Sequence, residues 1–155
     1  LRLGEEQNQG GEYEPGQETC TRWLKEYGND AMAPRANFGI GWALENRGKL
    51  AAARAAYAKV VAADNGPTAA RAQFQIGETW FAEKDFAAAA RELLKVDILY
   101  AAPQWAAPAL YDAGRAFEQL HEPERAAQQY QACLAKYKDS DVAGLARKRL
   151  EALAR

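Results

Sequence analysis

The chain has 155 residues, 48% of them hydrophobic and 26% charged, with a formal net charge of −1. That length and composition suit one soluble domain with a well-buried core. The near-zero charge removes the electrostatic case for nucleic acid or an anionic membrane surface, and no apolar run approaches the roughly 20 residues that span a bilayer.

The first residues, LRLGEEQNQG, carry neither an initiator Met nor a signal-peptide core. They are read as the start of a fragment of a longer protein, with any targeting segment upstream and the compartment left unknown. Gly4 opens a pattern that recurs along the chain. Gly41, Gly77 and Gly114 follow at intervals of 37, 36 and 37 residues. Each sits inside an otherwise helical stretch, where a glycine costs about 1 kcal/mol relative to alanine.

Residues 1–30 read as an incomplete first unit, with Gly16, Cys20 and Trp23 at fixed distances from Gly4 and a turn at Asn29-Asp30. Residues 31–66 read as a full unit. Pro34 stands near a helix start, Phe38 lies three residues before Gly41, Gly48 breaks the helix, and Ala53, Tyr57 and Val60 mark a second helix. Residues 67–102 repeat this with Pro67, Phe74, Gly77, a break at Asp85, then Ala89, Leu93 and Val96. Residues 103–138 do so again with Pro103, Tyr111, Gly114, a break at Pro123, then Ala126, Tyr130 and Cys133. In residues 139–155, Ala146, Leu150 and Leu153 form one stripe and Glu151 stands where the next glycine would be, which predicts a single capping helix. Ser140 is expected to cap it.

Prolines near starts and breakers between halves give paired antiparallel helices, and no run of alternating β-branched residues argues for a strand. The expected fold is an all-α solenoid over residues 1–155. Its glycines are expected to face the small residues twelve positions later, Gly77 against Ala89, so that paired backbones come close. Cys20 and Cys133 fall on apolar helix faces and read as small buried residues.

The recurring set resembles the tetratricopeptide repeat family: a small residue, a large one three later (Leu44, Trp80, Phe117), alanine twelve later and an aromatic or Leu sixteen later. It departs from the family pattern in its longer period, against about 34 residues. It also has Asn65, Ala101 and Lys138 where the pattern ends on proline. The longer period, the aromatic three before each glycine and Tyr27, Tyr100 and Tyr137 closing second helices look more specifically like bacterial cell-envelope repeat proteins. Those of the Tol–Pal-associated and outer-membrane assembly lipoprotein type are the nearest in pattern, which implies a periplasmic setting.

The resemblance implies a right-handed α-α superhelix whose first helices line a concave groove for a peptide or protein segment. On that face it places Arg35, Phe38, Trp42, Glu45 and Asn46, then Arg71, Phe74, Glu78, Phe81 and Ala82, then Pro108, Tyr111, Arg115, Glu118 and Gln119. Aromatics beside arginines suit binding hot spots. Phe38, Phe74 and Tyr111 recur in every unit and read equally well as packing residues. Trp42 and Phe81 do not recur, so they are the stronger candidates for partner contact. The Lys/Asn set that clamps a C-terminal carboxylate in chaperone-binding members is absent.

Catalysis has little to stand on. The one histidine, His121, falls between helices, and a Ser140–His121 pair would have to meet across a repeat with no orienting acid. Glu45, Glu78 and Glu118 share a face, and paired carboxylates can hydrolyse glycosides, but solvation or partner contact is the simpler reading. No cofactor or metal site is expected. The expectation is a non-enzymatic interaction scaffold. The alternative is a self-assembling structural module that uses its ends, since residues 1–30 hold seven acids against three bases and residues 136–155 six bases against three acids. Such ends would associate weakly, head to tail.

Overall fold

The computed structural model describes all 155 residues as helices and short turns, with no strand. The helices are α1 (Arg2–Gln9), α2 (Tyr13–Tyr27), α3 (Ala33–Asn46), α4 (Leu50–Ala63), α5 (Pro67–Ala82), α6 (Phe86–Leu99), α7 (Pro103–Gln119), α8 (Pro123–Lys136) and α9 (Ala143–Leu153). Each packs on the next. Beyond that, α1 touches α3, α3 touches α5 and α5 touches α7, with no comparable row among the even helices. A layer whose members meet directly lies on the inside of a curve. The odd helices therefore line the inner face of the solenoid.

Proline occupies the first or second position of α3, α5, α7 and α8, where its missing N–H removes no helical hydrogen bond. The turn inside each helix pair has the same geometry every time. Gly11, Gly48, Lys84 and His121 adopt positive φ, at 83°, 71°, 64° and 57°. After each of these, the next backbone N–H reaches back to a carbonyl five residues earlier, for example Lys49 N to Leu44 O and Glu122 N to Phe117 O, both at 2.9 Å. This left-handed closure satisfies carbonyls that the helix end would leave unpaired. The 36–37-residue period is thus written in the backbone as well as in the side chains.

The repeating glycines are approached most closely by a residue other than the one expected. A Cβ added at Gly41 would lie 2.6 Å from the Tyr57 ring, at Gly77 2.5 Å from Leu93 Cγ, at Gly114 2.5 Å from the Tyr130 ring and at Gly4 2.7 Å from Cys20 Sγ. The nearest atoms at each glycine belong to the residue sixteen positions later, and in the first unit the position twelve later is close as well, with Gly16 O 3.2 Å from a Cβ at Gly4. Tyr57, Leu93, Tyr130 and Cys20 are wholly buried as a result. Burying such side chains stabilises by about 1.5–3 kcal/mol each, more than the glycine costs.

Cys133 is also fully buried, as its apolar helix face implies. Ser140 is not a cap. The residue preceding α9 is Val142, and the Ser140 hydroxyl is buried without a partner. Its backbone carbonyl, not its side chain, meets the incoming helix by accepting from Ala143 N at 3.1 Å.

Candidate functional site

A cavity of about 630 Å³ opens on the inner face, lined by residues of α1, α3, α5 and α7 together with Tyr13. Four expected groove residues meet there: Arg35, Phe38, Trp42 and Arg71. Three rings surround the Arg71 guanidinium, its central carbon lying 4.5 Å from the Phe38 centroid, 5.4 Å from Trp42 and 5.2 Å from Trp105. Rings at such distances attract a cation through their quadrupoles. Burial disfavours the charged form of Arg71 and pulls its proton affinity down, while the Tyr57 and Glu45 side chains favour it. Arg71 Nε is buried without a hydrogen-bond partner, and the residue makes no ion pair.

Arg35 lies at the rim and pairs with Glu5 of α1 through two hydrogen bonds, at 2.9 and 3.1 Å. Phe38 stacks near Trp42 at 6.5 Å and packs on Tyr57 at 5.3 Å, so it serves both the cavity wall and the core. Trp42 belongs to the wall alone; none of the core clusters includes it.

The other expected residues lie outside this cavity. Phe74 packs on Trp105 at 5.8 Å and against the main core. Tyr111 leans on Tyr130 at 5.8 Å. Phe81 meets Phe86 edge-on at 5.1 Å and carries Arg115 above its ring at 4.8 Å. Arg115 is held by Asp112 at 2.7 Å.

Glu45 and Glu118 have structural work inside the repeat. Glu45 accepts from the Tyr57 hydroxyl at 2.6 Å and from Gln75 Nε2 at 3.0 Å. Glu118 accepts from the Tyr130 hydroxyl and lies 3.5 Å from Arg149 of α9. A buried tyrosine needs a partner for its hydroxyl, and an acid four residues after the glycine supplies it. In the repeat between them the large residue is Leu93, which has no hydroxyl, and the corresponding position holds Phe81. That Phe81 does not recur is therefore explained by Leu93. Trp42 has no such explanation.

Glu78 is different again. Its Oε1 is buried with no partner, and its carboxyl is pushed up to about 7, first by burial and then by Asp112, with Arg115 pulling the other way and Glu45 adding to the rise. Burial likewise raises the Asp112 carboxyl against the pull of Arg115.

Sequence reasoning missed Trp105, the third wall of the cage. The signal was present, because Trp105 has no aromatic counterpart: the matching residues are Met32 and Thr68. It lies nine residues before Gly114, on the first turn of α7, one turn before the first of the pattern positions.

Tetratricopeptide-repeat family models match residues 34–67 and 108–140. No curated protein sequence matches significantly. Among solved structures, a tetratricopeptide repeat protein from Parabacteroides merdae superposes with a TM-score of 0.79 at 16% identity, covering 99% of this chain and 58% of its own. The N-terminal domain of stress-induced protein-1 from C. elegans gives 0.70 at 23% identity, over 81% of this chain and 99% of that one. MamA from Desulfovibrio magneticus, residue 41 to its end, gives 0.72 at 21%, over 99% and 86%. Repeat models and neighbouring structures together support the tetratricopeptide repeat family, and the nine helices form an all-α superhelix of that kind.

Proposed function

We propose that this chain is a recognition unit that holds a segment of another protein in the inner-face cavity. Tetratricopeptide repeats are protein-interaction scaffolds, and the observation that carries the finer reading is the cage of Phe38, Trp42 and Trp105 around Arg71. Aromatic rings beside an arginine, concave and half-covered, have the composition of an interface centre. Residues 31–66, 67–102 and 103–138 serve as full repeats of one unit, with α9 as its cap. The 36–37-residue spacing and the tyrosines ending second helices favour kinship with bacterial cell-envelope repeat proteins, which would put the chain in that compartment.

Selection of short random peptides on the immobilised chain tests this reading. Sequences enriched on the native chain should lose about 2 kcal/mol or more of binding to Trp42→Ala with helicity unchanged; Trp105 also packs against the core, so Trp105→Ala should cost stability as well as binding. Equal binding to native and variant chains would refute the cavity as the site.

A further inference from the structure

Six charged side chains stand among the expected groove residues, and four already have ion-pair or hydrogen-bond partners within the chain. Arg35 is bound by Glu5, Glu45 by Tyr57 and Gln75, Arg115 by Asp112, and Glu118 by Tyr130 and Arg149. Arg71 and Glu78 are the two left over, each with a buried polar atom that meets no partner. Both belong to α5, which lies between α3 and α7 in the odd-helix row. Seven residues are close to two full turns, so they share one face, separated by about 10 Å along the axis.

The charges near each do not serve as partners. Glu45 is close enough to favour the Arg71 cation, but both its contacts go to Tyr57 and Gln75. Arg115 is close enough to favour the Glu78 anion, but it is held 2.7 Å from Asp112 and stacked on Phe81. A buried charge without a partner is costly, and Glu78 offsets part of that cost by holding its proton up to about pH 7; a group of opposite sign brought to either point removes the penalty of an unpaired charge, whereas a rim charge changes little. The inner face is therefore incomplete at two points of opposite sign.

We propose that the segment bound in the groove is dipolar: it brings an acidic side chain to Arg71 and a basic one to Glu78. A segment in the polyproline II conformation advances about 3.1 Å per residue with three residues per turn, so residues three apart lie on one side of it about 9 Å from each other, and the two charges stand at that spacing, with an apolar or aromatic neighbour for the cage. This rests on the recognition reading above and adds the chemistry of the partner to it. Charge order along the segment also fixes the direction in which it lies, since reversal places like charges together at both points.

The test is a selection of short random peptides on five immobilised chains: native, Arg71→Gln, Arg71→Lys, Glu78→Gln and Trp42→Ala, each checked for native helicity and melting. Native chain should enrich sequences with an acidic and a basic residue three apart in one fixed order. Arg71→Gln should lose the acidic preference and keep the basic one, and Glu78→Gln the converse. Each change should weaken a native-selected peptide about tenfold or more. Arg71→Lys, which keeps the charge, should retain the acidic preference and distinguishes charge pairing from altered packing.

Enriched sequences lacking either charge, preferences that survive both Gln variants, or no enrichment at all would overturn the proposal. If apolar sequences are enriched on the native chain and lost on Trp42→Ala, the cavity is the site and only the charge pairing falls. Should enrichment be indifferent to Trp42→Ala, both readings fall.

Discussion

The Tyr57 hydroxyl donates to Glu45 at 2.6 Å, linking the second helix of a repeat to the first across twelve residues of sequence. Tyr130 and Glu118 repeat the relationship, and in the repeat between them the same two positions hold Leu93 and Phe81, both part of the main apolar core. Acid and hydroxyl go together, as do Leu and Phe. Glu45→Phe alone should leave a buried hydroxyl unsatisfied and cost about 1–3 kcal/mol. Combining Tyr57→Leu with Glu45→Phe should recover much of that loss, and a double-mutant cycle by urea unfolding measures the coupling. Additive effects of the two changes would show the pairing to be incidental.

Gly41 is a slot for the Tyr57 ring, so even one carbon is too much there. Gly41→Ala brings Cβ to 2.6 Å from a ring that is wholly buried. The expected cost is about 1–3 kcal/mol by overpacking, despite the gain in helix propensity. Gly144 provides the control, because a Cβ there meets nothing within 4 Å. Gly144→Ala within α9 should be neutral or stabilising in the same thermal scans.

His121 closes α7 at a φ of 57°, a region that a side chain disfavours. Its equivalents in the first two turns, Gly11 and Gly48, are glycines. His121→Gly should therefore raise stability by about 0.5–1 kcal/mol, a gain of roughly 2 °C in Tm for a chain of this size. A lower Tm would mean that the exposed imidazole contributes more than the backbone strain removes.

Glu78 predicts a pH dependence with a definite sign. Its folded carboxyl titrates near 7, above the ordinary 4.5. The folded state thus holds this proton more tightly than the unfolded one. That contribution to stability is complete below about pH 4.5 and is lost as pH rises through about 7. Glu78→Gln removes it, and the difference between native and variant should grow by on the order of 2 kcal/mol from pH 5 to pH 8, with the variant the more stable at high pH. Asp112 is coupled to Glu78, so its titration also moves in the variant and the pH-dependent difference reports the carboxyl pair. A pH-independent difference would remove Glu78 as the cause.

The solenoid was legible in the sequence because its period is carried by residues that must be small or large for packing. Gly41, Gly77 and Gly114 mark that period, and the prolines mark the helix starts. What each glycine faces was not legible, since alanines twelve positions on and large residues sixteen positions on recur equally, and only the three-dimensional packing selects Tyr57, Leu93 and Tyr130. On the inner face, recurrence separated Trp42 from the packing residues. It could not tell that the Phe81 position holds an acid where the buried residue is a tyrosine and Phe where it is Leu93, nor that Arg71 and Glu78 are unpaired while Glu45 and Glu118 are not. Ion pairs such as Arg35–Glu5 join residues thirty positions apart and leave no local signature.

The four tryptophans provide the most direct test of the cavity. Trp42 and Trp105 wall it; Trp23 packs on Tyr27, and Trp80 lies beneath Arg54 at 3.7 Å. In a nitrogen-15 correlation spectrum the four indole N–H groups give four separate signals, and titration with a selected peptide reads each wall at once. The account predicts that the Trp42 and Trp105 signals shift together along one binding curve while those of Trp23 and Trp80 stay in place. Movement of Trp23 or Trp80 with Trp42 and Trp105 unchanged would contradict it.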